Sequence, residues 1–413
     1  MAPMPMAMSN NAVTAATVNG VPHVFSFSGI DSTKVFSGIS LKSFKYNTQT
    51  DSWDTIAPLP DSRGKIAAGA STVKNKIYII GGYYVYQNGS ETSSDDVHIY
   101  DPQTNQYLAD GAKIPVPIDD HVQAVYRDSL IYVITGWSNT TNRNTVQIYN
   151  PVLDSWSVGT PLPNTNTYKS FGASGAIVGD TIFYFGGAAS IGNFPIQNVL
   201  RMGVIDKNDP TQIAWSDTVV DAALFGYRMA ATTVNGNVHW IGGSNQTYNY
   251  NGKAYANNQG VPPNNRNLVL LPGAMKFVSY TSQGAAYPMD LRGIAETSAT
   301  TRYLAGGMQA NQRVSRKMLK LEYVVGPVAI NELEEITIGI KIYPNPARSR
   351  LEVELGETPT DLVLLDGIGS TVMIMSNVNG QTQLDVSKLS PGLYFLQILS
   401  AKGTISRQVV IQH

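Results

Sequence analysis

The residues able to do chemistry are few in this chain. Cysteine is absent from its 413 residues, which removes thiolate nucleophiles, thiolate metal ligands and disulfides together. Of five histidines, His23, His98 and His239 fall inside strand-like apolar runs at unrelated places, and His413 ends the chain. Only His121 stands in a loop, beside Asp119 and Asp120. One loop histidine does not make a metal site, so no metal and no cofactor are expected. Before residue 325 there are three glutamates, Glu91, Glu296 and Glu322, and Glu296 follows Arg292 by four residues. A buried carboxylate near an arginine, with a second acid such as Asp120, has the makings of a proton-transfer pair able to open and close a sugar ring. The same glutamate serves equally well as a salt-bridge strut. No nucleophile elbow, phosphate-binding glycine loop or HExxH motif is present. Asp95-Asp96 is an adjacent acid pair that suits calcium with loop carbonyls, or simply a solvated loop.

Charge narrows the partners. Lys and Arg number 29 against 30 Asp and Glu, a net charge of −1, so the counterion-release term behind nucleic-acid binding is missing. With 43% hydrophobic and 14% charged residues the chain is a folding sequence rather than a disordered one. No apolar run approaches the roughly 20 residues of a membrane span, so no transmembrane segment is expected. The elements that must hold the reactive residues are strands.

A short apolar strand ending in a small-residue pair recurs six times: Phe27-Ser28-Gly29, Ile80-Gly81-Gly82, Ile134-Thr135-Gly136, Phe185-Gly186-Gly187, Ile241-Gly242-Gly243 and Ala305-Gly306-Gly307. Between these lie Tyr46-Asn47-Thr48 leading to Trp53, Tyr100-Asp101-Pro102 leading to Tyr107, and Tyr149-Asn150-Pro151 leading to Trp156, with a looser copy ending at Trp215. A hairpin precedes each glycine pair, turning at Asn19-Gly20, Arg127-Asp128, Gly179-Asp180 and Asn235-Gly236. The first strand of each hairpin is rich in Ala, Gly, Ser and Thr, as in 67–72, which fits strands crowded round a common axis. Four strands in about 50 residues, repeated six times, predict a β-propeller.

Gly-Gly after an apolar strand, followed by Tyr-Asp-Pro-x-Thr and an aromatic, resembles the kelch repeat over roughly Asn11–Val325. The resemblance implies an all-β, six-bladed kelch-type propeller over 1–325. Trp53, Trp156 and Trp215 repeat with the blade period and read as structural. Met318–Val325 reads as a strand of blade six. Pro3-Met4-Pro5 resembles Pro58-Leu59-Pro60 and Pro161-Leu162-Pro163, which follow outermost strands; the outermost strand of the last blade is therefore expected upstream of residue 1 or absent. Asn249–Asn258 and Pro262–Asn267 are expected to be long loops.

After Val325 the composition shifts to a linker, 326–340, with three glutamates and no Lys or Arg. Tyr343-Pro344-Asn345-Pro346 then opens a module over 341–413 whose alternating runs (Leu351, Val353, Leu355) and turns at Asp366-Gly367, Asn379-Gly380, Pro391-Gly392 and Lys402-Gly403 predict a small Ig-like β-sandwich. Its order of features, down to Leu389-Ser390-Pro391-Gly392-Leu393-Tyr394 and a last strand at Arg407–Ile411, resembles the C-terminal sorting domain of the type IX secretion system of the Bacteroidetes. That likeness implies handling by the type IX machinery through 341–413, and a location in the medium or on the outer-membrane surface. It also implies a signal peptide, so residue 1 is expected to be a truncation point. An ordinary Ig-like accessory domain is the alternative.

Family resemblance places ligands at the mouth of the central channel, on loops entering each innermost strand. The expected contacts are Arg63, Asp120, His121, Tyr168, Tyr227, Arg228 and Arg292. Arginines and acids interleaved with aromatics suit a sugar or peptide, and the guanidiniums favour an anionic or hydroxyl-rich ligand. The same residues are equally suited to bracing adjacent blades. The expected function is a non-enzymatic binding module for an extracellular glycan or protein. The alternative is a sugar mutarotase or epimerase of the kind six-bladed kelch proteins include, using Glu296, Arg292 and Asp120. Kelch-type copper oxidases are excluded, because their Cys–Tyr crosslink needs a cysteine.

Overall fold

A computed structural model describes every residue except 222, 283, 324–339, 357–359, 368, 401–402 and 413. The chain divides into two compact units: Met1–Thr233, Val238–Val269 and Ser279–Glu322 form the first, and Val234–Asn237, Leu270–Val278 and Tyr323–His413 the second. The expected linker 326–340 lies, but for its last residue, outside the described residues.

Six antiparallel sheets follow one another in chain order. Blade 1 is built from Ala12–Val18, Val21–Phe27, Ser43–Asn47 and Ser52–Ile56. The next four repeat that meander, with innermost strands Gly69–Val73, Val122–Tyr126, Ser174–Val178 and Ala230–Val234. Blade 6 has three strands among the described residues: Ala295–Glu296, Thr301–Ala305 and Met318–Glu322. The tight hairpins have the turn chemistry their residues demand. Both central residues are left-handed at Asn19-Gly20, Lys74-Asn75, Arg127-Asp128 and Asn235-Gly236, the type I′ arrangement that matches strand twist. Among the described residues helix is confined to three single-turn 3₁₀ segments, such as Phe36–Gly38. The stretch between Gly243 and Arg266 is loop carrying isolated bridges such as Tyr248–Ala254.

The blades pack through apolar faces, and the tryptophans tie neighbours together. Trp53, Trp156 and Trp215 each donate the indole N–H to a backbone carbonyl of the preceding blade's exit segment: Ala2 at 3.1 Å, Ala112 at 2.7 Å and Thr160 at 2.9 Å. Two residues beyond each carbonyl an apolar side chain plugs the gap, and Met4, Ile114 and Leu162 are all fully buried. The Pro-Met-Pro segment thus does at the N-terminus what Pro-Leu-Pro does elsewhere. The ring closes between blades 6 and 1, where Ala12 and Val13 pair in parallel with Arg292 and Gly293.

The second unit contains a three-stranded sheet, Lys341–Tyr343, Arg350–Glu354 and Gln381–Asp385, and a four-stranded one that includes Thr360–Leu365, Thr371–Val378, Gly392–Ser400 and Gly403–Ile411. Their inner faces share one core of Leu351, Val353, Leu362, Leu364, Leu396 and Val409 among others. The Tyr-Pro-Asn-Pro motif has a structural job: Asn345 donates from Nδ2 to the Gln408 carbonyl and accepts from the Val410 N–H, both at 2.8 Å, so its side chain stands in for a strand partner of the last strand.

Candidate functional site

One local geometry, repeated six times, builds the channel mouth. Ahead of each innermost strand a residue takes the left-handed conformation: Asn10, Ala67, Asp120, Gly172, Arg228 and Asp290. The residue before it bridges the one after the glycine pair, as Asp119 does with Trp137 and Tyr227 with Ser244. The second glycine is required there. A Cβ on Gly82, Gly136 or Gly243 would sit 2.6–2.8 Å from the carbonyl oxygen of Ile66, Asp119 or Tyr227. Where the first glycine is missing, Ser28 and Thr135 adopt positive φ and their hydroxyls bond the carbonyls of Lys65 and Ser170. The left-handed residues are linked by backbone hydrogen bonds from blade to blade, Asp120 to Ala67, Gly172 to Asp120, Arg228 to Gly172 and Asn10 to Asp290. Four of their side chains therefore meet on the axis.

They form a buried ionic plug. Arg228 forks onto Asp120 through Nε (3.1 Å) and Nη2 (2.6 Å) and reaches Asp290 through Nη1 at 3.0 Å. Asp290 also accepts from Asn10 Nδ2 and Ser9 Oγ. Arg292 lies 3.5 Å from Asp120 and donates to the His121 carbonyl. Asp120, Arg228 and Asp290 are at most 2% exposed, so the charges are dry and mutually satisfied. Burial works against the Arg228 charge, but Asp120, Tyr227 and Asp290 outweigh it and hold the guanidinium more firmly protonated. The His121 ring goes the other way. Burial, then the Arg292 charge, pushes it down to about 4, against a hydrogen bond with Gln123, so it is neutral at pH 7.

Two spaces frame the chemistry open to a ligand, one along the channel and one over the plug. A channel cavity of about 420 Å³ is walled by the small residues of the innermost strands, among them Thr14, Ala70, Ser71, Gly175 and Ala231, as their composition leads one to expect. Glu296 also lines it, with Oε1 accepting from Thr232 at 2.7 Å and Oε2 in an ion pair with Arg302 at 3.6 Å. The other is a smaller pocket of about 120 Å³, over Asp120 and Arg228. Its walls are aromatic: Trp137, Phe171, Phe194 and Tyr255, in edge-to-face contact at 4.8–5.7 Å, together with Tyr83. Glu91 and Asp119 supply further carboxyls. Burial, reinforced by the Asp120 charge, lifts the Asp119 carboxyl well above its usual range despite a hydrogen bond from Ser93 Oγ. Desolvation lifts Glu91 too, opposed by Arg228.

The seven residues expected to touch a ligand are thus divided. Asp120 and Arg228 line the pocket over the plug, and Tyr227 is buried behind it in the cluster holding Phe171 and Tyr248. His121 and Arg292 line a small space further along the channel. Tyr168 packs in the core between blades 3 and 4, and the exposed Arg63 lies over the Tyr86 ring at 4.5 Å. Of the three residues named for proton transfer, Asp120 and Arg292 meet, while Glu296 bonds to Thr232 and Arg302 instead. Asn10, Asp119 and Asp290 stand in the same aligned loops as the expected contacts, and Glu91 sits on a hairpin, Tyr83–Val85 with Glu91–Ser93, that follows the glycine pair of blade 2. The acid pair Asp95-Asp96 is tied to lysines, Asp95 to Lys113 and Asp96 to the fully buried Lys65.

Comparison with known proteins defines the class. Residues 4–187 match the KLHDC2/KLHL20/DRC7 kelch-repeats domain, and residues 341–412 match the secretion system C-terminal sorting domain. The human Rab9 effector protein with kelch motifs is 30% identical over 148 residues, 35% of this chain and 36% of that protein. Kelch-like protein terF of Aspergillus terreus is 27% identical over 194 residues, 45% of this chain and 40% of its own. The chain thus spans well under half the length of these relatives. The solved structure of YjhT superposes with a TM-score of 0.60 at 17% identity, covering 78% of this chain and 97% of that one, which establishes the shared propeller fold. The chain is a kelch-repeat β-propeller protein. More particularly, it is a kelch propeller carrying a C-terminal sorting domain of the type IX secretion system, the mark of a protein exported to the surface or beyond.

Proposed function

We propose that the protein is an exported, non-enzymatic binding module that recognises a glycan or protein outside the cell, taking one projecting group of it into the aromatic pocket over the plug. The observation that supports this reading is the contrast between the two kinds of polar group there. Each Arg228 nitrogen is engaged by Asp120 or Asp290, which makes it a fixed scaffold, whereas Glu91 and Asp119 line open space among aromatic walls. Aromatic faces with a few oriented polar groups are the usual make-up of a ligand pocket. Of the seven contacts expected from sequence, Asp120 and Arg228 belong to this proposed floor. The division into a propeller over 1–325, a linker over 326–340 and a sorting domain over 341–413 is part of the same proposal. The test is a glycan-array and surface-protein screen with the full chain, followed by Trp137→Ala. Binding that survives this change would move the site elsewhere.

A mutarotase or epimerase working in the channel is the second reading, and the Glu296 carboxylate on the channel wall is what favours it. It predicts accelerated anomer exchange of a sugar in saturation-transfer NMR, abolished by Glu296→Gln.

A further inference from the structure

We propose that the pocket over the plug is a receptor for an alkylammonium group on a slender apolar stem, as a lysine side chain presents it; this deepens the binding reading above and rests on it. The first argument is charge. Four carboxyls, those of Glu91, Asp119, Asp120 and Asp290, gather around two guanidiniums, Arg228 and Arg292. Every Arg228 nitrogen already donates to a carboxylate, and Asp120 and Asp290 balance its charge, so it has little pull on an anion. Asp119 is 3% exposed and takes the Ser93 hydroxyl on Oδ2, yet no described residue donates a hydrogen bond to its Oδ1. An ammonium entering the pocket would supply three donors and a positive charge at once to such an acceptor. Burial lifts the Glu91 and Asp119 carboxyls toward protonation, joined by the Asp120 charge, and a bound cation would draw both back toward their charged forms.

The second argument is the wall. Trp137, Phe171, Phe194, Tyr83 and Tyr255 provide π surface to a cation and apolar contact to a methylene stem. A sugar ring would need donors as well as acceptors for its hydroxyls. Besides its carboxyls the pocket offers the Asn249 amide, the Tyr83 and Tyr255 hydroxyls and the Trp137 indole N–H, all set among ring faces. A space of about 120 Å³ suits a head group and its first carbons better than a substituted ring.

The experiment titrates the full-length protein with Nα-acetyl-lysine methylamide, its neutral isostere Nα-acetyl-norleucine methylamide, and glucosamine, by calorimetry and by Trp137 indole NMR shifts. The lysine probe is expected to bind and shift the Trp137 signal, with the norleucine probe at least ten-fold weaker. Glu91→Gln should weaken the lysine probe at least ten-fold while leaving the circular dichroism and melting temperature in place, and Arg63→Ala should change nothing. Equal binding of both amino-acid probes, indifference to Glu91→Gln, or no binding at millimolar concentration would overturn the ammonium assignment. Glucosamine binding more tightly than the lysine probe would overturn the slender-stem assignment in favour of an amino sugar. A screen hit that Trp137→Ala abolishes, with no response to any ammonium probe, would keep the binding reading and reject this one.

Discussion

Arg228 shows how a residue type that suggests ligand capture ends up as architecture. Its left-handed backbone is fixed by the blade-to-blade hydrogen bond to Gly172, and that backbone aims the side chain across the axis at two aspartates. Removing it would strand two buried carboxylates. Arg228→Met is therefore expected to cost about 3–5 kcal/mol in urea unfolding, while the exposed Arg63→Ala stays within about 0.5 kcal/mol. Acid sensitivity should arise at this scale as well. His121 and His239 are both pushed down to about 4, chiefly by burial. The folded state holds them neutral while an unfolded histidine titrates near 6.5, so their contribution is complete above about pH 6.5 and lost as the pH falls toward 4. The shift of His121 alone corresponds to about 3 kcal/mol. Urea midpoints at pH 7.5, 5.5 and 4.5 should fall in that order, and His121→Gln should flatten part of the slope. An unchanged slope in that variant would place the acid sensitivity in other groups.

Among the elements, the blade-linking tryptophans carry a load that strand pairing does not. Neighbouring blades share little ladder beyond the short parallel pair at the closure, so they depend on packed faces and single polar ties. Trp53 is the tie that joins blade 1 to the N-terminal segment beside blade 6, with its indole on the Ala2 carbonyl and its ring against Tyr46. Trp53→Phe should cost about 1 kcal/mol for the lost hydrogen bond, and Trp53→Ala about 3 kcal/mol, since the side chain is only half-buried. Neither change should alter ligand affinity, because the site is framed by loops at the channel mouth. A Trp53→Ala protein that lost its ligand while still folded would contradict the separation of strut from site.

For the whole molecule, the sorting domain and the propeller answer to different selections. The terminal module is a complete sandwich with its own core, and its Asn345 clamp engages the last strand, the part nearest the chain's end. Removing 341–413 is expected to leave the propeller folded and to stop export, with the truncated protein retained in the periplasm of the native host on cell fractionation. Secretion that continued unchanged would show that the address lies elsewhere in the chain.

The six small-residue pairs, the hairpin turns and the blade-period aromatics determined the propeller from sequence alone, because each answers a local demand: positive φ, strand twist, or a filled gap between sheets. The closing motif determined the sorting domain in the same local way. The functional surface was legible only in position. Asp120, Arg228 and Arg292 read correctly as residues near the axis, but whether a guanidinium faces a ligand or a neighbour depends on what stands across the ring, and Asp120 and Arg228 are 108 residues apart. Glu91 sits on a hairpin whose length and residues differ from blade to blade, so no repeat pointed to it, and Glu296 turned to Arg302 because that partner lies on the adjacent strand. Pseudo-symmetry brings six loops to one axis; only the folded ring decides which charges cancel there and which are left facing open space.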